Sequence, residues 1–225
     1  MQRVLELVHE VRSRYPQDSF FIDFESSCNE KRLKREFYSS YETTLRYLDE
    51  DAWRILKSKA IEHFLDHRLG QLQTGFFNHL NEAFAYRYLV SHGYSNVVFL
   101  PEKQGSKQPD LSFRLEGTPG FCEVKSIGIS DDEIGRRDSH ECINGSVYAN
   151  LRLEFMNKLQ STIARAETQV SELRESSIIF IVIEFDDFTH DYLAEYRKQL
   201  HEFLSANLVS NLILQVGRFG EAINA

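Results

Sequence analysis

Residues 108–127 read QPDLSFRLEGTPGFCEVKSI, and three of them belong to the types that handle phosphate esters with the help of a hard cation: the carboxylates of Asp110 and Glu123 and the ammonium of Lys125. Carboxylate oxygens are preferred ligands of magnesium and manganese, and a neighbouring ammonium can orient a water or offset charge growing on a phosphoryl group. Spacing decides whether the three can meet. On a strand, side chains two apart share a face, so Glu123 and Lys125 point together while Cys122 and Val124 point the other way. Asp110, Ser112 and Arg114 likewise oppose Leu111, Phe113 and Leu115. Glu116-Gly117-Thr118-Pro119 reads as a hairpin loop. Pairing Leu115 with Gly120 then sets Phe113 opposite Cys122, Leu111 opposite Val124, Ser112 opposite Glu123 and Asp110 opposite Lys125. Asp110 and Glu123 become diagonal neighbours, roughly 7 Å apart at the backbone. The apolar residues then share one face, which a one-residue slip would undo.

The flanking elements must hold this hairpin in place. Upstream, TGFFNHLNEAFAYRYLVSHGY reads as an amphipathic helix carrying Glu82, and NVVFLP as a strand. Downstream, residues 151–173 read as a helix with Phe155, Leu159, Ile163, Ala166 and Val170 as its core stripe and Lys158, Thr162, Arg165 and Gln169 as a polar one. The apolar run SSIIFIVIEF follows as a buried strand. Between them, residues 128–150 are long, polar and aperiodic, an ordinary insertion or a substrate-responsive loop.

Pro109-Asp110, Glu123-Val124-Lys125 and this order of elements together resemble the PD-(D/E)xK nuclease superfamily of restriction-endonuclease-like proteins, over residues 74–186. The resemblance implies an α/β fold with a restriction-endonuclease-like core, a central mixed sheet of about four to five strands flanked by helices. An N-terminal helical extension over residues 1–70 would precede a nuclease-like domain over residues 71–225. The implied activity is that of a Mg2+-dependent phosphodiesterase, an endodeoxyribonuclease-like enzyme that leaves a 5′ phosphate. DNA is the expected nucleic-acid partner because most characterised relatives act on it. Mg2+ or Mn2+ would be held by Asp110, Glu123, the carbonyl of Val124 and Glu82, the last directly or through water. Lys125 would work beside them as a catalytic residue. Lys158 and Gln169 are implied as secondary polar contacts near the site.

Two other function classes fit the same residues. One is a non-cleaving nucleic-acid-binding or assembly module on this fold, marked by salt-dependent DNA binding without cleavage. The other is a protein-interaction module whose acidic surface meets a basic partner. A purely structural reading is a solvated strand face bearing Glu123 and Lys125, with Asp110 ending a loop and Glu82 on a solvated helix.

With 225 residues and 42% hydrophobic content the chain can bury one sizeable core with a smaller appended subdomain. The net charge of −8 leaves nucleic-acid contact to local basic patches. The candidates are Lys31, Arg32, Lys34 and Arg35, then Lys103 and Lys107 on the approach to Asp110, then Arg136 and Arg137. Each is by itself an ordinary solvated charge. The first seventy or so residues read as mostly helical: a short helix over Val4, Leu5, Val8 and Val11 ends before Tyr15-Pro16, and AWRILKSKAIEHFLDHRLG forms a longer one ending at Gly70. This segment is a cap packed on the sheet or, carrying the Lys31–Arg35 cluster, a recognition or homodimerisation element. His63 and His67 stand four apart on the longer helix without a third ligand, so a structural or surface role is expected. Cys28, Cys122 and Cys142 include no CxxC pair, which fits a reducing compartment. The first residues, MQRVLELVHEVRSRYPQ, are interrupted by Glu6, His9 and Glu10, unlike a signal peptide. No segment approaches membrane-spanning length, so a cytoplasmic protein without a membrane partner is expected.

Overall fold

In a computed structural model, residues 1–67, 73–101, 108–128, 150–171, 176–184, 192–207, 211–218 and 220–224 are described. The chain divides into two compact units, Met1–His92 and Gly93–Ala225.

The first unit is helical: α1 Gln2–Arg14, α2 Phe24–Glu30, α3 Arg32–Leu45, α4 Glu50–Glu62 and α5 Thr74–Ser91. On α1 the buried stripe is Val4, Leu7, Val8 and Val11, so Leu7 takes the place expected for Leu5. The i, i+3, i+4 spacing is satisfied by either leucine, and packing chooses Leu7. The start of α4 follows from Asp49, whose carboxylate accepts the Ala52 N–H at 2.7 Å, with Glu50 and Asp51 in the first turn. This helix ends at Glu62, well before Gly70. His63 and His67 therefore do not stand one above the other on a helix. His63 Nδ1 is instead 2.6 Å from Asp66 Oδ2, and His67 is exposed. Rings from α2, α3, α5 and the junctions interleave, among them Tyr15, Phe21, Phe24, Tyr38, Phe64 and Phe76, all within edge or stacking distance of a neighbour.

Helix α1 has no side-chain cap of its own. Glu42, on α3, supplies one from a distance: its carboxylate is 4% exposed and accepts the Val4 N–H at 3.1 Å and Arg46 Nε at 3.1 Å. Burial works to raise its pKa, but the Val4 hydrogen bond, Arg46, the N-terminal ammonium and the Gln2 N–H outweigh it and hold the group below its ordinary 4.5. A depressed folded value means that this stabilisation is fully present above pH 4.5 and is lost as the pH falls through the folded value. Glu42→Gln should cost about 2 kcal/mol at neutral pH. Urea melts at stepped pH should show that gap closing below 4.5; a gap that stays constant into acid would dismiss the charged cap.

The second unit carries a six-stranded mixed sheet in the order β1-β2-β3-β4-β5-β6, larger than the four to five strands expected. Its strands are β1 Ser95–Phe99, β2 Leu111–Leu115, β3 Thr118–Ile127, β4 Ser176–Ile183, β5 Leu212–Val216 and β6 Ile223–Asn224. β1, β2 and β3 are antiparallel, β3, β4 and β5 are parallel, and β6 returns antiparallel to β5. Helices α6 (Leu153–Val170) and α7 (Leu193–Ala206) join the strands. Leu159, Ile163, Ala166 and Val170 of α6, the expected core stripe, pack with Leu200 and Leu204 of α7 on Ile127, Ile179, Ile181, Ile183, Leu212, Leu214 and Val216. β4 is buried on both faces from Ile178 to Ile183, which is why its sequence shows an unbroken apolar run instead of alternation. Among the described residues no helix is long and apolar enough to cross a membrane.

Candidate active site

The β2–β3 hairpin turns more tightly than its composition suggested. Glu116 and Gly117 both adopt positive φ, 50° and 85°, the pattern of a two-residue turn, so Leu115 pairs with Thr118. Phe113 then faces Gly120 and Leu111 faces Cys122, a shift of two residues from the expected register. Gly120 is what admits it: a Cβ there would come within 2.4 Å of the Phe113 ring. Because the shift is even, no residue changes face. Continuing the register one step brings Asp110 across from Glu123 instead of Lys125, a closer approach than the diagonal one.

The ladder breaks where Asp110 stands. β3 runs on to Ile127 past the start of β2 at Leu111, and a strand N–H that outlasts its partner needs an acceptor. Asp110 Oδ2 takes the Val124 N–H at 2.7 Å, while its backbone N–H donates to Cys122 O at 3.1 Å and its carbonyl accepts Leu100 N–H at 2.9 Å. The peptide that joins Glu123 to Val124 is thus bonded directly to the Asp110 carboxylate. N–H and C=O of one strand residue point to the same edge, so the Val124 carbonyl lies on the Asp110 side of β3.

Glu123 and Lys125 share the β3 face that meets Ile179 and Ile181 of β4. Lys125 Nζ donates to Glu123 Oε1. The two side chains differ sharply in exposure, 3% for Glu123 against 31% for Lys125. Glu123 Oε2 is buried with no hydrogen-bond partner. A carboxylate on a solvated face would not be in this position, so the purely solvated reading of Glu123 fails. Leaving a charged oxygen out of water and unpaired is costly, and a coordinated cation is one way to offset that cost.

The residues at this point fit a hard cation. Among the described residues no group of three or more His, Cys, Asp or Glu side chains converges on a common position. A cation here would therefore take oxygens from two carboxylates, those of Asp110 and Glu123, and from the Val124 carbonyl, the remaining positions being water. Magnesium is often held in this way, by one or two carboxylates with several retained waters.

Glu82 lies in the first unit, on α5, and is 3% exposed. That helix was expected to be amphipathic, yet Leu80–Tyr86 is buried without a gap. Glu82 Oε1 is shared by Lys59 Nζ and His79 Nδ1, each at 2.8 Å, and Oε2 is buried without a partner. The His79 ring in turn lies 4.4 Å from that of His63. Neither Lys59 nor His79 belongs to a motif in the sequence. His79 stands three residues before Glu82, a spacing that signals an i, i+3 pair, but nothing local points to Lys59.

The secondary residues spread out. On α6, Lys158 is exposed and Gln169 half-buried, while Thr162 between them is 6% exposed. In the basic cluster, Arg32 pairs with Glu36 at 2.9 Å, Arg35 donates to Asn29 O at 3.1 Å, Lys34 lies 5.6 Å from the Phe24 ring, and Lys31 is exposed. Lys103, Lys107, Arg136, Arg137 and Cys142 lie outside the described residues, as does nearly all of the 128–150 segment. Comparison with protein-family models, curated proteins and solved structures finds no match for this chain, which leaves the residues and their geometry to carry the functional reading.

Proposed function

We propose that this protein is a metal-dependent nuclease of the PD-(D/E)xK type, hydrolysing phosphodiester bonds in DNA with Asp110, Glu123 and Lys125 at the reacting phosphate. The observation that carries this reading is the Glu123 carboxylate: buried, with one oxygen on Lys125 and the other without a partner. Two features support the restriction-endonuclease-like core. The order α5, β1, β2, β3, α6, β4 is the order that resemblance implies, and the sheet is mixed with its antiparallel hairpin next to the parallel pair.

Asp110, Glu123 and the Val124 carbonyl would hold Mg2+ or Mn2+, and a cation in that position supplies Lewis-acid charge to the scissile phosphoryl group and the attacking water. Asp110 fixes the geometry of the cradle by clamping the Glu123–Val124 peptide. Glu123 contributes a buried oxygen, where electrostatic interactions are stronger than in bulk water. Lys125 is anchored at one side by Glu123 yet keeps about a third of its surface in solvent, so its ammonium can reach the phosphate. There it orients the water and offsets the charge that develops in the transition state. Glu82, already paired with Lys59 and within hydrogen-bond distance of His79, is the weakest member of the expected set.

The deciding experiment is cleavage of single-stranded, duplex and branched DNA and of RNA, with magnesium, with manganese and with chelator. Cleavage of at least one DNA substrate that stops with chelator is the expected result. Salt-dependent binding to all of them without cleavage would replace the nuclease by a binding module, and no binding under any condition would remove nucleic acid as the partner.

A further inference from the structure

We propose a second site, at the β6 edge of the sheet: the cleft between α7 and β6 binds the phosphate group of a ligand of mononucleotide size. None of the residues of the Glu123 site takes part. α7 turns Tyr196, Leu200 and Leu204 inward. Arg197, Lys198, His201 and Glu202, spaced i, i+1, i+4 and i+5, form the adjoining stripe. With Ile223 of β6 they line a cleft of about 430 Å³. That is an open depression with room for more than a lone ion.

The chemistry of the lining selects an anion. The Arg197 guanidinium is held in place, Nη2 donating to Glu221 O at 2.7 Å, with Gly220 packed close by. Its Nη1 is buried without an acceptor, an unmet donor in a residue that lines the cleft. Lys198 and His201 are exposed at the mouth, and among the described residues no carboxylate pairs with either. Arg197 and Lys198 are the two formal cations of the lining against the single acid Glu202, and His201 adds a ring nitrogen, on a chain of net charge −8. A rigid guanidinium fork, an ammonium and an imidazole N–H give three separate directions of donation, which suits the three outer oxygens of a phosphate better than the two of a carboxylate. Glu202 and Ile223 remain for the rest of the ligand, the first accepting from a hydroxyl and the second meeting an apolar ring.

The test is titration of the whole chain, at fixed ionic strength, with a nucleoside 5′-monophosphate, the same nucleoside and inorganic phosphate, followed by NMR. The monophosphate should bind about tenfold or more tighter than the nucleoside and be displaced by inorganic phosphate. Arg197→Ala could loosen the C-terminal strand through the lost Glu221 contact, so the decisive variant is Lys198→Ala with His201→Ala, both exposed. It should keep its melting temperature and lose about tenfold in affinity for the monophosphate. A short oligonucleotide without terminal phosphates separates the sources. Binding with the same dependence on Lys198 and His201 assigns the site to backbone phosphate, and its failure alongside a bound monophosphate assigns it to a phosphomonoester. Equal affinity for nucleoside and monophosphate, no binding of either, or an unaffected double variant would overturn the proposal. Metal-dependent DNA cleavage is read separately, so the fate of this cleft and that of the Glu123 site can be told apart.

Discussion

Glu123→Gln should abolish metal-dependent cleavage while leaving the fold as stable as the parent or slightly more so. The substitution keeps size and shape, and the amide oxygen can still accept from Lys125, but the buried, half-satisfied charge is gone. A neutral amide costs less to bury than an unpaired carboxylate oxygen, so stability is held or gains about 1 kcal/mol. The cation loses an anionic ligand in a water-poor site, and the rate should fall on the order of a thousandfold, about 4 kcal/mol of transition-state stabilisation. Thermal melts give a readout independent of activity. Magnesium at a concentration of about a hundred times its dissociation constant adds roughly 2.7 kcal/mol to a protein that binds it only when folded. The parent should therefore melt higher with magnesium and the variant should not. The same magnesium-induced rise in both would end the role of Glu123 as a ligand.

Lys125→Ala separates catalysis from binding. Loss of one well-placed ammonium costs on the order of a hundredfold in rate, about 3 kcal/mol. Metal affinity should move the other way. Lys125 occupies Glu123 Oε1, so its removal frees that oxygen, and the cation should bind as tightly as before or more tightly. Single-turnover cleavage at saturating magnesium, with calorimetry of metal binding, measures both. If Lys125 is only a half-exposed strand residue, the rate will be unaltered, and that result would leave Asp110 and Glu123 as a metal site without an identified catalyst.

The sequence by itself determined the parts of this protein that depend on a short-range period. Alternation fixed which residues share a face: Glu123 and Lys125, two apart on β3, meet whatever the loop length, and because a hairpin can slip by two without changing faces, Asp110 stays on their side. The 3.6-residue period likewise gave the core stripe of α6, and an unbroken apolar run gave β4. The register itself was decided by positive φ at Glu116, a conformation a glutamate seldom adopts, and by the room that Gly120 leaves for the Phe113 ring. Burial was a tertiary matter throughout. Glu123 and Glu82 are of a type usually solvated, and nothing near them in the chain says that each would be buried with one oxygen unpartnered. Lys59, which neutralises Glu82, is 23 residues away, and Glu42, which caps α1, stands 38 residues from Val4. The guanidinium of Arg197 reaches the Glu221 carbonyl across 24 residues, so the cleft it lines exists only once β6 has folded back beside α7. A charge has no period to reveal its partner; only the packed chain brings the two together.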